Sequence, residues 1–142
     1  MKQKLMVLMI GFALLSCSPK PQAIAYGADG CHYCKMTIVD RIHAAEIVTN
    51  KGKVYKFDAI ECMLNYDKEI EEGINAMYLV NHYGNPEELI NASEATFLIS
   101  ENIPSPMGAF LTAFKTKDEA GKIKMEKEGK IYSWKELLEH LK

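Results

Sequence analysis

The sequence has no excess of positive charge: 17 Lys and Arg stand against 19 Asp and Glu, the formal charge is −2, and no basic block stands out. Binding to nucleic acid through its phosphates therefore has no electrostatic footprint. A membrane-spanning segment is missing too, because the apolar run from Leu5 to Leu15, broken only by Gly11, falls well short of the about 20 residues needed. There is no Ser-His-Asp-like constellation, no phosphate-cradling Gly-rich loop and no zinc-protease helix motif, so nothing argues for an enzyme. A length of 142 residues leaves no room for a large multidomain protein. At 48% hydrophobic and 25% charged, the composition is that of a chain that buries a core, which excludes disorder, collagen and coiled coil for most of it. What stands out is sulfur: 4 Cys and 8 Met, the residues that specify soft chemistry.

Lys2 and Lys4 before the short apolar run lay out a secretory signal. Leu14-Leu15-Ser16-Cys17 resembles the bacterial lipobox, in which the cysteine becomes the first mature residue and is lipidated on sulfur. Residues 1–16 are therefore expected to be a lipoprotein signal peptide. Residues 17–29, with Pro19, Pro21 and Gly27 and no periodicity, are expected to be the lipidated Cys17 and a flexible tether. The expected location is a lipid anchor on the exported side of a bacterial membrane. Ser18, rather than Asp, after the cysteine resembles an outer-membrane sorting signal, with the protein facing the periplasm.

Folding is expected to begin near Gly30, and residues 30–142 read as α+β in two short, similar strand-strand-helix units. Thr37-Ile38-Val39 and His43 to Thr49 are rich in β-branched and apolar residues, and Asn50-Lys51-Gly52-Lys53 supplies turn chemistry before Val54-Tyr55-Lys56-Phe57. That predicts a hairpin. Asp58 suits a helix N-cap, with Ile60, Met63, Leu64 and Ile70 on one apolar face and Gly73 at the stop. Ala76 to His82 reads as a strand, Tyr83-Gly84-Asn85-Pro86 as a turn, and Thr96 to Ile99 as a further strand after a short helical link. Ile103 to Gly108 is a proline-containing loop. Ala109 to Phe114 reads as a strand, Lys117 to Lys127 as a helix, Lys130-Ile131-Tyr132 as a strand, and Ser133 as the cap of a last helix. Each half gives strands followed by a helix, a duplication that no residue-level repeat supports.

Sulfur is concentrated in three places. Cys31-His32-Tyr33-Cys34-Lys35-Met36 puts two thiols and a thioether just before an expected strand. A c-type haem site needs His directly after the second cysteine, where Lys35 stands. A thioredoxin-like pair would have its first thiol at a helix N-terminus, yet a strand is expected to follow. Structural zinc would need two further ligands, for which only Cys62 and a histidine offer themselves. A disulfide between Cys31 and Cys34, or from either to Cys62, is open to an exported protein. Monovalent copper is a soft ion that takes thiolate and thioether donors at low coordination number, and Cys34 and Met36 at i, i+2 on an extended chain would project to one side. Cys62-Met63 is the second place, equally readable as ordinary helix core. Met107, in Pro104-Ser105-Pro106-Met107-Gly108, is the third, a poor core-former and a candidate mobile ligand. His32 could join the site from its loop. His43 and His82 read as half-exposed sheet residues, Met77 and Met125 as core, and His140 as solvated.

Cys31-His32-Tyr33-Cys34-Lys35-Met36-Thr37-Ile38, Asp40-Arg41 with Ala44-Ala45-Glu46-Ile47, Tyr55-Lys56-Phe57-Asp58-Ala59-Ile60-Glu61-Cys62-Met63, and Ser105-Pro106-Met107-Gly108 together resemble the NosL family of nitrous oxide reductase accessory lipoproteins. The likeness runs from about Cys31 to Ser133. It implies an α+β fold of two small, similar units and a periplasm-facing copper chaperone without catalytic turnover. Such a protein helps supply Cu(I) for the copper-sulfide centre of nitrous oxide reductase, which, or whose assembly complex, would be the partner. The family's metal-binding cysteine and methionine fall on Cys34 and Met36, with Cys31, Met107, Cys62, Met63 and His32 as further candidates. One departure is visible: the family often has Gly between those two positions, and this chain has Lys35. A rival function of another class, a thiol-disulfide oxidoreductase that keeps a partner's copper-site cysteines reduced, would use Cys31 and Cys34.

Overall fold

In the computed structural model, which describes residues 18–70 and 75–142, the expected hairpin forms: β1 (Ala45–Thr49) pairs antiparallel with β2 (Val54–Phe57). Thr49 Oγ1 accepts from the Lys53 N–H at 2.9 Å and Gly52 takes φ +83°, so the turn closes as its residues predict. Helix α1 (Ile60–Asp67) follows, then β3 (Asn75–His82) on the far side of β1 and β4 (Asn85–Asn91) beyond it, giving the order β2-β1-β3-β4.

The second half repeats the plan. β5 (Thr96–Ile99) pairs antiparallel with β6 (Leu111–Phe114), α2 (Lys117–Lys127) follows, and β7 (Lys130–Ser133) pairs with the other edge of β5. Helix α3 (Trp134–His140) closes the chain. Both units share a strand-strand-helix-strand plan in which the first strand lies between the other two, and the first unit adds β4 beyond β3, so the architecture is α+β with two similar units. Thr116 with Glu119 and Ser133 with Glu136 form complete capping boxes, which is why α2 and α3 start where their sequence predicts. Gly129 takes φ +101° before β7, and a Cβ there would lie 2.2 Å from Ile99 O, a place only glycine can occupy.

Several expectations are corrected. The fold takes in the chain before Gly30: Ile24 is buried, the Gln22 N–H donates to Glu46 Oε1 at 3.0 Å, and Lys56 Nζ reaches Ala23 O and Asp29 Oδ2 at 2.7 Å each. A buried carboxylate and a lysine on neighbouring strands thus hold 22–29 against the sheet, where a tether was expected. Thr37-Ile38-Val39 is not a strand. Thr37 makes only an isolated bridge to Gly30, because 31–36 closes on itself. Residues 85–91, expected as turn and helical link, are β4, and Pro86 is tolerated because β4 lies at the sheet edge. Asp58 does not cap α1. Ala59 is the N-cap, without a side-chain bond. The helix ends at Asp67, and Gly73 lies outside the described residues, as do the signal segment and Cys17. His43 and His82 are buried, not half-exposed, and Met125 is exposed, not core. Among the described residues, no helix is long and apolar enough to cross a membrane.

One core joins the units. Ile47, Phe57, Ile60, Met63 and Val80 pack with Phe97, Leu111, Ala113 and Leu137, and a smaller cluster of Leu98, Ile103, Phe114 and Ala120 lies beneath α2. Across the join, the buried His43 ring sits 3.0 Å from Asp40 Oδ2 and 3.2 Å from Thr112 Oγ1. The tripartite arrangement is a bonded bridge between units, since His43 is 1% exposed and has no path to a ligand.

Candidate metal centre

The loop 31–36 is tied at both ends. Cys31 N–H donates to Met36 O at 2.8 Å and Lys35 N–H to Cys31 O at 3.1 Å, while His32 clips the loop to the edge of β2: its N–H donates to Lys56 O at 2.9 Å and its Nδ1 accepts from Lys56 N–H at 3.1 Å. The His32 ring also packs on Tyr55 and Phe57. Lys35 completes the turn with φ +67°, the left-handed region that favours glycine. Lys35 thus occupies a position whose backbone asks for glycine.

Strand β2 ends at Phe57, Asp58 follows at once, and Cys62 falls in the first turn of α1. Because the loop hangs on β2, these segments meet. One donor atom from each of Cys31, Cys34, Asp58 and Cys62 lies within 4.8 Å of all the others. The three cysteines are free thiols; Cys31 and Cys62 are buried and Cys34 is half-buried. Asp58 is 2% exposed, and its Oδ1 has no hydrogen-bond partner.

The thiols are not equivalent. The Cys62 thiol beside Cys31 holds its sulfur as thiolate and, with backbone N–H groups at Asp58 and Cys34, brings its pKa down to about 6 against the opposing effect of burial. Cys62 is pushed well up, because its thiol donates a hydrogen bond to Cys31 and is buried next to Asp58. Burial pushes the Cys34 thiol up to about 11, and its hydrogen bonds to Cys31 and Asp58 help keep it protonated. The cluster is a thiolate held between two thiols. An incoming soft cation would replace those protons, since thiolate and not thiol is the ligand form.

Of the residues singled out from the sequence, Cys31, Cys34 and Cys62 converge. Met36 is 58% exposed, two residues from Cys34, but not by strand alternation, because Lys35 turns the chain between them. Met107 is 44% exposed in its loop. Met63 is fully buried and belongs to the core, and the His32 Nδ1 is taken by the backbone of β2. The residue missed is Asp58. Its place one residue before the start of an amphipathic run reads locally as a cap, although its spacing of four from Cys62 hinted at a shared side. Glu61 was missed too: it is nearly buried, and its Oε1 accepts from Ser105 Oγ and from the Ala109 N–H, so the Met107 loop is docked on α1 next to Cys62.

The NosL family model matches residues 23–141. The chain belongs to the NosL family. The match begins beside the buried Ile24, in agreement with a fold that includes the segment before Gly30. The crystal structure of the copper chaperone NosL from Shewanella denitrificans superimposes with a TM-score of 0.72 over 82% of this chain and 94% of that one, at 24% sequence identity. At that identity the likeness establishes the NosL fold. No curated protein matches the chain in sequence.

Proposed function

We propose that this NosL-family chain is a Cu(I)-binding metallochaperone. The observation that carries the reading is the convergence of three reduced thiols, two of them buried, with an exposed thioether two residues from the third. Cu(I) is held by two or three thiolate or thioether donors, and a carrier must hold it in a form a partner can take over. The buried cysteines supply tight, water-excluded ligation, and Cys34 with the exposed Met36 is where an acceptor ligand would enter. Copper is cargo here, and no turnover is required of the protein.

The finer reading follows the family resemblance: delivery of Cu(I) for the copper-sulfide centre of nitrous oxide reductase, from a position anchored through lipidated Cys17 and facing the periplasm. A diacylglycerol thioether plus an amide-linked acyl chain would anchor stably where a single chain would not. The rival, a thiol-disulfide oxidoreductase acting through Cys31 and Cys34, is disfavoured by burial. The thiolate suited to attack is Cys31, at 2% exposure, while the accessible Cys34 is held protonated.

Anaerobic titration of the reduced protein with Cu(I) against a competing chelator tests the core of this reading, with one tightly bound ion expected. Failure to compete with a weak chelator would end it. Incubating the loaded protein with copper-depleted nitrous oxide reductase tests the destination, and lipid labelling of Cys17→Ser, expected to be lost, tests the anchor.

A further inference from the structure

A free tether from Cys17 to Gly30 would let the folded body stand up to about 45 Å from its anchor. The structure removes most of that length. The Gln22 N–H donates to Glu46 Oε1 on β1, Lys56 Nζ on β2 donates to Ala23 O and Asp29 Oδ2, and the Tyr26 hydroxyl donates to Asn81 Oδ1 on β3. Three neighbouring strands thus fasten 22–29, and Ile24 is buried between those bonds. Only Ser18, Pro19, Lys20 and Pro21 separate Cys17 from the first fastened residue. Five residue steps reach at most about 17 Å, and two prolines keep them stiff. Lys56 also serves a second segment: its main chain carries the two backbone bonds on which His32 hangs. Because Glu46 pairs with Lys56 across one strand spacing, the 31–36 loop hangs within about 10 Å of the strand that holds Gln22.

We propose that the docking of 22–29 turns the N-terminal segment into a short ruler that seats the body on the lipid surface, with the sulfur loop on the bilayer side. The proposal rests on the reading that Cys17 is lipidated and goes beyond it, since an anchor alone leaves the height and orientation of the body open. A domain of this size has a radius of gyration of about 13–14 Å, so a reach of about 17 Å is close to one body radius. The side of the sheet that holds Gln22 therefore cannot be turned away from the bilayer. The one charge in the short tether, the exposed Lys20, suits anionic headgroups. Metal taken from the loop is then handed over beside the membrane, to an acceptor that comes to the lipid surface.

The test places the lipidated chain in vesicles of phosphatidylethanolamine and phosphatidylglycerol that carry a dansyl headgroup as energy acceptor. Trp134, the only tryptophan, is the donor, packed against Tyr78 and Phe97 between the two units. Inserting about 30 Gly and Ser residues between Pro21 and Gln22 raises the mean reach to about 30–35 Å, so transfer should fall at least about twofold. Glu46→Leu with Lys56→Met, which keeps the main-chain bonds to His32, should release 22–29. Transfer should fall there too, with faster amide hydrogen exchange in that segment. Equal transfer in wild type and the linker variant, both floating with the vesicles, overturns the proposal even if the double variant does not fold. A high shared value would mean that the body binds lipid by itself, and a low one that it stands off. A wild-type chain that fails to float would instead remove the Cys17 anchor, and the proposal with it.

Discussion

Ser105 Oγ donates to Glu61 Oε1 at 2.7 Å across 44 positions of sequence, and the Ala109 N–H reaches the same oxygen at 3.2 Å. Ser105 Oγ in turn accepts from the Phe110 N–H at 2.9 Å, so the loop carrying Met107 is fastened to α1 one residue before Cys62. The thioether is held outward while its loop is fixed. A buried Met→Ala change costs about 2–5 kcal/mol, whereas a side chain this exposed should cost less than about 1 kcal/mol. Met107→Ala is therefore expected to melt near wild type while Cu(I) dissociation or transfer changes in stopped flow. A large stability loss with unaltered transfer would return Met107 to the core. Glu61→Leu, which strands the Ser105 hydroxyl and the Ala109 N–H, should cost about 1–3 kcal/mol and disturb transfer as well.

Removal of any one thiol should weaken Cu(I) binding, Cys62→Ala no less than Cys31→Ala or Cys34→Ala, because all three sulfurs share one cluster. Met36→Leu should leave the melting curve unchanged, given its exposure, and lower Cu(I) affinity or speed its loss. Chelator competition reads both. If Met36→Leu equals wild type in affinity and in dissociation rate, the ion is held by the cysteines alone.

Oxidation should switch metal binding off. Cys31, the thiolate, has Cys34 and Cys62 within reach, and a disulfide takes two ligands at once. Treatment with a mild disulfide oxidant should give a product two hydrogens lighter that no longer loads Cu(I), with full recovery on reduction. Mass spectrometry of a copper-loaded disulfide species would refute it.

The thiols also predict how the metal-free protein responds to pH. The folded Cys31 pKa, about 6, lies below its ordinary value of 9.0, so between those values the unfolded chain binds more protons and stability rises with pH. That contribution is complete above about 9 and lost as pH falls through about 6. Cys34 and Cys62 are shifted upward and act oppositely: the contribution of Cys34 is present below about 9 and fades as pH rises through about 11, and that of Cys62 likewise is present below about 9 and is lost only at still higher pH. Urea melts of the reduced protein should show the rising limb between pH 6 and 9, flattened in Cys31→Ser. An identical slope in that variant would assign the limb to other groups.

Lys35 holds φ +67°, where a Cβ costs about 1–2 kcal/mol. Part of that is offset in a glycine variant by a freer unfolded chain. Lys35→Gly should therefore stabilise the protein by about 0.5–1 kcal/mol, with Cu(I) affinity retained. Destabilisation would mean that the Lys35 Nζ contact with His32 O at 2.5 Å matters more than the backbone.

The elements that were legible from the sequence are those governed by neighbours in the chain. The Asn50 to Lys53 turn and the Thr116 and Ser133 capping boxes act over four or five residues, and each stands where local chemistry puts it. The sequence likewise put Cys34 and Met36 first as soft donors, with Cys31 and Cys62 among the further candidates, and the order of motifs pointed to the NosL family. Local rules failed where a residue answers to distant partners. Ile24 is buried because Glu46 and Lys56 hold its segment down, Residues 85–91 become a strand because β3 offers an open edge, and Asp58 leaves the helix cap for a cluster of thiols. That Cys31 meets Cys62, 31 positions on, depends on one clip, the two backbone bonds and ring packing of His32 on β2. No spacing encodes such a meeting. Which atoms share a pocket is set by how the loop, strand and helix pack, and that packing is what gathers the three thiols and Asp58 into a candidate metal centre.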